Sequence, residues 1–208
     1  MAFYKKINFN DKADIFVWKI NEDIETLRAN VILKPESLLR YNGMKSESHK
    51  KGFLAVRMLL QHCGYTDYDL IYDPTGKPFL VDGKFISITH SFDFSVISIG
   101  TESLGIDIEL KREKVLRIAN KFSEEDFINS DMDTDLQIKL YTMVWGAKES
   151  IFKIVNEPGI SFIDHIKVAS FDFKENETKA VLRWKNTTED FFIFFKEIEN
   201  YVLVYACR

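Results

Sequence analysis

The sequence predicts an α+β fold built from two similar halves. Three observations carry this reading. In each half, segments with helical periodicity are followed by short alternating strands. The strands are joined by connections of a few residues, which favours antiparallel neighbours over parallel crossovers. A short stretch, residues 100–105, separates the two runs. The expected boundary therefore divides the chain into 1–104 and 105–208, each half a subdomain with a helix packed on a small antiparallel sheet. No repeat is visible residue by residue, only a similar order of elements.

In the first half, residues 14–20 read as a strand, with Ile15 and Val17 alternating against Phe16 and Trp18. Lys34-Pro35-Glu36-Ser37 opens a helix with proline at its first position. A second helix starts near Ser46 or Ser48 and carries Phe53, Leu54, Val56, Leu59 and Leu60. Cys63-Gly64 ends it, glycine accepting the left-handed conformation there. Strands follow over 69–72, 84–89 and 94–99, with turn residues at Asp73-Pro74-Thr75-Gly76 and Val81-Asp82-Gly83.

The second half begins with the strand Gly105–Leu110. Ile106, Ile108 and Leu110 share one face, and Gly105, Asp107 and Glu109 the other. A short helix is expected over 115–121. Phe122-Ser123-Glu124-Glu125 reads as a further helix start, with Ser123 as N-cap and acids in the first turn. Residues 130–135 read as a polar loop. The long helix through Lys153 follows. Leu140, Val144, Ala147, Ile151, Ile154 and Val155 form its apolar face, while Trp145, Glu149 and Lys153 stack on another. Asn156-Glu157-Pro158-Gly159 stops it. Strands over 165–173, 179–184, 191–197 and 201–207 then make an antiparallel meander.

Composition narrows the function classes. A chain of 208 residues with 46% hydrophobic content can bury a substantial core. Net charge of −4 provides no global field for nucleic acid. Two distant cysteines, Cys63 and Cys207, have neither disulfide-scaffold nor metal spacing and suit a reducing compartment. No signal-like apolar region opens the chain, and runs such as residues 191–195 are far too short to span a membrane. A soluble cytoplasmic protein is expected, with no nucleic acid and no membrane partner.

Asp107 and Glu109 stand about 6–7 Å apart by strand geometry. Like charges at that distance repel and raise each other's pKa unless a cation intervenes. With Glu149 as a third carboxylate, and no His or Cys near them in sequence, the set suits a hard cation such as Mg²⁺ with phosphate as co-ligand. The same Asp-Ile-Glu pattern also describes an ordinary solvated strand face. Likewise Gly76-Lys77-Pro78 alone reads as a solvated turn, and Thr89-His90-Ser91 as a strand end that caps a turn.

Taken together these segments resemble the 4′-phosphopantetheinyl transferases of the surfactin-type, pseudo-dimeric group. The resemblance rests on five ordered features: Phe53-Leu54-Ala55-x-Arg57, Gly76-Lys77-Pro78, Ile88-Thr89-His90-Ser91, Gly105-Ile106-Asp107-Ile108-Glu109, and Trp145-x-x-Lys148-Glu149-Ser150-x-x-Lys153. It covers residues 35–160. The resemblance implies two α+β subdomains related by a pseudo-twofold. It also implies a monomer that transfers phosphopantetheine from coenzyme A to a serine of an acyl or peptidyl carrier protein, releasing adenosine 3′,5′-bisphosphate. By that likeness Asp107, Glu109 and Glu149 would hold Mg²⁺, and Glu149 would act as or assist the base. Lys153 would serve the departing phosphate, and Lys148 would contact the diphosphate. Lys77, Thr89 and His90 would meet the nucleotide end and its 3′-phosphate, with Arg40, Lys45, Lys50 and Lys51 as further candidates.

Some positions depart from the family pattern. Thr89 replaces the usual serine, and Val56 stands where glycine is common. The Gly-x-Gly after the last lysine becomes Asn156-Glu157-Pro158-Gly159-Ile160, and the acid after Phe-Ser falls at Asp126. Two rival readings remain: a non-catalytic module binding coenzyme A or a carrier protein, and a Mg²⁺-dependent nuclease suggested by Asp107, Glu109 and Lys111.

Overall fold

The computed structural model describes residues 3–123 and 132–208. It divides into two compact units, Met1–Leu104 and Gly105–Arg208. The expected helix start at Glu124-Glu125, Asp126 and positions 130–131 of the expected polar loop lie outside the described residues, and the expected loop is shorter at its other end because the long helix already begins at Thr134, capped by Asp133.

The first unit is a six-stranded antiparallel sheet in the order β1-β2-β6-β5-β4-β3. Its strands are β1 (Phe3–Asn10), β2 (Ala13–Lys19), β3 (Leu70–Tyr72), β4 (Pro78–Leu80), β5 (Phe85–Ser91) and β6 (Phe94–Gly100). Three helices intervene: α1 (Ile24–Ala29), α2 (Pro35–Gly43) and α3 (Glu47–His62). Ser46 caps α3 by accepting the His49 amide, and Gly64 beyond its end takes φ 84°. Leu59 and Leu60 of α3 join Trp18, Leu70 and Ile97 in the core over the sheet. Arg57, also on α3, is buried. Its Nε donates to Asp67 Oδ1 at 2.9 Å, and Asp67 Oδ2 accepts the Lys34 amide at 3.0 Å. This pair ties the start of α2 to α3, and its burial is tolerated because the charges are matched and hydrogen-bonded.

The second unit holds a five-stranded antiparallel sheet, order β7-β11-β10-β9-β8. The strands are β7 (Gly105–Leu110), β8 (Ile166–Val168), β9 (Glu177–Trp184), β10 (Thr187–Ile198) and β11 (Tyr201–Cys207). Its helices are α4 (Lys114–Ile118), α5 (Thr134–Val155) and α6 (Phe162–His165), with a single 3-10 turn after α4. Met143, Val144, Ala147, Ile151 and Ile154 of α5 pack on Phe191, Ile193, Val202 and Val204 of the sheet. Val155, expected on the apolar face, is only half-buried.

The close approach of α5 to β7 and β11 depends on two glycines. A side chain at Gly105 would stand 1.9 Å from the Ser150 carbonyl oxygen, and one at Gly146 would stand 2.7 Å from Val204. Neither position has room for a methyl group. The helix ends on Asn156, which adopts φ 53° and donates to the Phe152 carbonyl at 2.7 Å. Asparagine tolerates the left-handed region better than most residues, so the altered loop still closes the helix. The strand expected over 165–173 is shorter, because Phe171 and Phe173 pack against Phe195 instead of continuing the ladder.

Candidate functional site

The long helix carries different chemistry at neighbouring positions because successive residues point about 100° apart. Gly146 and Ser150 face the sheet, and the Ser150 hydroxyl donates to the Val204 carbonyl at 3.2 Å. Trp145, Glu149 and Lys153 lie on a half-buried face. The Trp145 ring packs against those of Phe122 and Phe162.

Lys153 reaches across to β7. Its Nζ donates to Asp107 Oδ1 and to the Ile106 carbonyl, both at 2.8 Å. The Asp107 side chain is 7% exposed and that of Lys153 26%. The repulsion expected between Asp107 and Glu109 is therefore not the dominant feature at Asp107, which has an ammonium as counter-ion. Among the described residues no group of three or more His, Cys, Asp or Glu side chains is arranged to hold a metal ion. The expected set of Asp107, Glu109 and Glu149 is thus not gathered around one point. Glu109 instead lines a cleft of about 140 Å³ with Leu110, Ile118, Thr142 and Trp145.

Glu149 nevertheless feels both partners. Burial pushes its carboxyl above the ordinary range, and the negative charge of Asp107 pushes it further. The Lys153 ammonium partly offsets these effects. A carboxylate held in this way is a better proton acceptor near neutral pH than an exposed glutamate.

Lys148 is the residue expected to contact a diphosphate. It is fully buried, and its Nζ donates to the carbonyls of Phe122 at 2.6 Å and Phe162 at 3.0 Å. The physical reason is its position between Ala147 and Glu149: the helix turns it inward, toward the chain that flanks α5. In this conformation it works as an internal tie.

In the first unit, Lys77 follows Gly76, whose φ is 87°, and its amide donates to Asp73 Oδ1 at 2.9 Å. Thr75 also donates to Asp73, holding that carboxyl below its usual range. At the end of β5, Thr89 and Ser91 are buried whereas His90 is exposed. A side chain at Gly52 of α3 would meet the His90 ring at 2.9 Å, so glycine there lets the imidazole lie along the helix. The His49 ring centroid is 5.8 Å away. Sequence reasoning did not single out His49. Its spacing three residues before Gly52 is a signal only once His90 is known to pack there. A second cavity of about 340 Å³ is lined by Lys34, Arg40, Arg57 and Tyr72, with the Arg40 guanidinium over the Tyr72 ring. Arg40 was a phosphate candidate by resemblance, and Lys34 was not.

A family model for the 4′-phosphopantetheinyl transferase superfamily matches residues 103–206, half of the chain. The match contains β7 and α5 in full. A protein described as 4′-phosphopantetheinyl transferase gsp, from Aneurinibacillus migulanus, is 27% identical over 172 residues, covering 79% of this chain and 70% of that protein.

Proposed function

The chain belongs to the 4′-phosphopantetheinyl transferase superfamily, and from that premise we propose how its residues divide the work of moving phosphopantetheine from coenzyme A to a carrier-protein serine. Glu149 takes the proton of the serine hydroxyl. The serine oxygen forms a bond to the phosphorus bearing the pantetheine arm, and the bond from that phosphorus to the bridging oxygen breaks. Adenosine 3′,5′-bisphosphate departs with the bond's electrons. The Lys153 ammonium neutralises the charge that develops on the departing phosphate, where a positioned cation lowers the barrier most.

Asp107, Glu109 and Glu149 are oxygen donors of the type Mg²⁺ takes, although among the described residues they are not gathered around one point; the charge of Asp107 acts on Glu149. When bound, Mg²⁺ would supply positive charge to the diphosphate. His90, Lys77 and Thr89 meet the nucleotide end of coenzyme A, and Arg40 is a candidate for its phosphate. Lys148 is left out of the coenzyme A contacts because its ammonium is consumed by backbone carbonyls. A single chain in the cytoplasm is sufficient for this scheme.

The observation that carries the reading is Glu149: a half-buried carboxylate with its pKa raised, one helical turn from Lys153 and within the field of Asp107. The test is incubation with coenzyme A, Mg²⁺ and an apo-carrier protein, followed by mass analysis of the carrier. Gain of phosphopantetheine on the serine supports the reading. Coenzyme A binding without any modification of acyl or peptidyl carriers would favour a binding module instead.

A further inference from the structure

We propose that the cleft beside α4 is a docking site for the carrier protein: one apolar side chain of the carrier enters it, and acidic groups of the carrier meet the cations on its rim. This rests on the transferase reading above and names where that partner is held.

The cleft lies within the unit Gly105–Arg208 and measures about 140 Å³. Leu110, Val115, Ile118 and Trp145 line it, each only half-buried. No residue of α4 is fully buried, although Val115, Leu116 and Ile118 are apolar. Thr142 keeps its proton from the cleft, because its hydroxyl donates to the Ile138 carbonyl at 2.7 Å. A cavity of about 150 Å³ takes a benzene-sized apolar group, so a single large apolar side chain suits this one.

The rim is basic. Residues 111–117 hold Lys111, Arg112, Lys114 and Arg117 against one acid, Glu113, in a chain whose net charge is −4. Lys111 already pairs with Glu197 at 2.6 Å. Lys114 and Arg117 are exposed, and among the described residues neither makes an ion pair. An acidic protein surface complements these cations and is steered toward them. The pantetheine arm of coenzyme A is uncharged and gives them nothing to pair with, which makes it the poorer occupant. The place also suits the reaction. Trp145 stands one helical turn, about 5.4 Å, before Glu149 along α5. A side chain seated in the cleft therefore holds the carrier near the carboxylate proposed to take its serine proton.

Steady-state kinetics with an apo-acyl carrier protein and an apo-peptidyl carrier protein test this. Lys114→Glu with Arg117→Glu should raise KM for the carrier about tenfold or more, because attraction becomes like-charge repulsion. Its kcat and its KM for coenzyme A should stay at the parent values. Ile118→Trp fills the cleft and should raise the same KM. An unchanged carrier KM in either variant overturns the proposal. So does a raised KM for coenzyme A alone, which would give the cleft to the pantetheine arm. Should charge reversal prevent folding, Lys114→Gln with Arg117→Gln reads the same constant, with a rise of about threefold expected and no rise overturning the proposal. If the parent modifies neither carrier, the transferase reading falls. Calorimetry of the same carriers without coenzyme A then decides the docking by itself: tighter binding by the parent than by the variants supports it, and equal or absent binding overturns it.

Discussion

In the unit Met1–Leu104 two of the residues proposed for coenzyme A, Lys77 and His90, stand at a turn and at the end of a strand. Lys77 follows the glycine of a turn, and His90 is exposed at the end of β5. In the unit Gly105–Arg208 the proposed chemistry is embedded in packed elements: Asp107 is buried on β7, and Glu149 and Lys153 flank core positions of α5. Element ends can change side chains at little cost to folding, because few buried contacts depend on them. A carboxylate inside a packed layer perturbs folding as well as chemistry. The comparison therefore teaches that binding and stability should separate in the first unit and be coupled in the second.

The largest expected effect is at Glu149. Glu149→Gln should lower the single-turnover transfer rate on the order of 10²–10⁴-fold, as loss of a general base does. It should also change stability in a defined direction. Folding raises the pKa of Glu149, so just above the ordinary carboxylate range the folded protein holds a proton that the unfolded chain has released. Stability from this group is complete at lower pH and is lost as pH rises through the raised value. Glutamine has no proton to lose, so urea melts across that pH window should show a flatter profile for the variant. A variant that is inactive yet follows the parent's profile would uncouple the two properties and break the comparison.

Lys153→Met should follow, with a large drop in kcat and little change in coenzyme A affinity, since the lost interaction belongs to the transition state. Turnover beside calorimetric affinity separates these. Near-parent turnover would leave Lys153 only its ion pair with Asp107.

Much of this was legible in the sequence, for identifiable reasons. The alternation of Gly105–Leu110, the three- and four-residue steps of α5 and the caps at Ser46 and Asn156 are local signals, and local signals define elements. β1 was not recognised, because an edge strand with Lys5, Lys6 and Asn8 lacks the apolar content of a central one. α1 is six residues with one buried side chain, Leu27, and β4 begins on Pro78. The pairings at the site were illegible for a different reason. Helical spacing places Lys148 beside Glu149, but only the fold brings the Phe122 and Phe162 carbonyls to its ammonium. The same holds for Asp107 and Lys153, which are 46 positions apart.

Lys148→Met sharpens the comparison at a smaller scale. It leaves the buried Phe122 carbonyl and the part-buried Phe162 carbonyl without this donor, and a loss of about 1–3 kcal/mol is expected in denaturant melts. Coenzyme A affinity should not change. Weakened affinity at intact stability would return Lys148 to the diphosphate. The smallest stability effects belong to the first unit. His90→Ala and Lys77→Ala should weaken coenzyme A binding by calorimetry, with stability within about 0.5 kcal/mol of the parent. Unchanged affinity with a lowered melting temperature would mean that these residues hold the turn and the strand end, and nothing more.

The most direct test of the central claim is mass analysis of an apo-carrier protein after incubation with coenzyme A, Mg²⁺ and either the parent or Glu149→Gln. The account predicts phosphopantetheine on the carrier serine with the parent, and an almost unmodified carrier over the same interval with the variant. Equal modification by both proteins would contradict it.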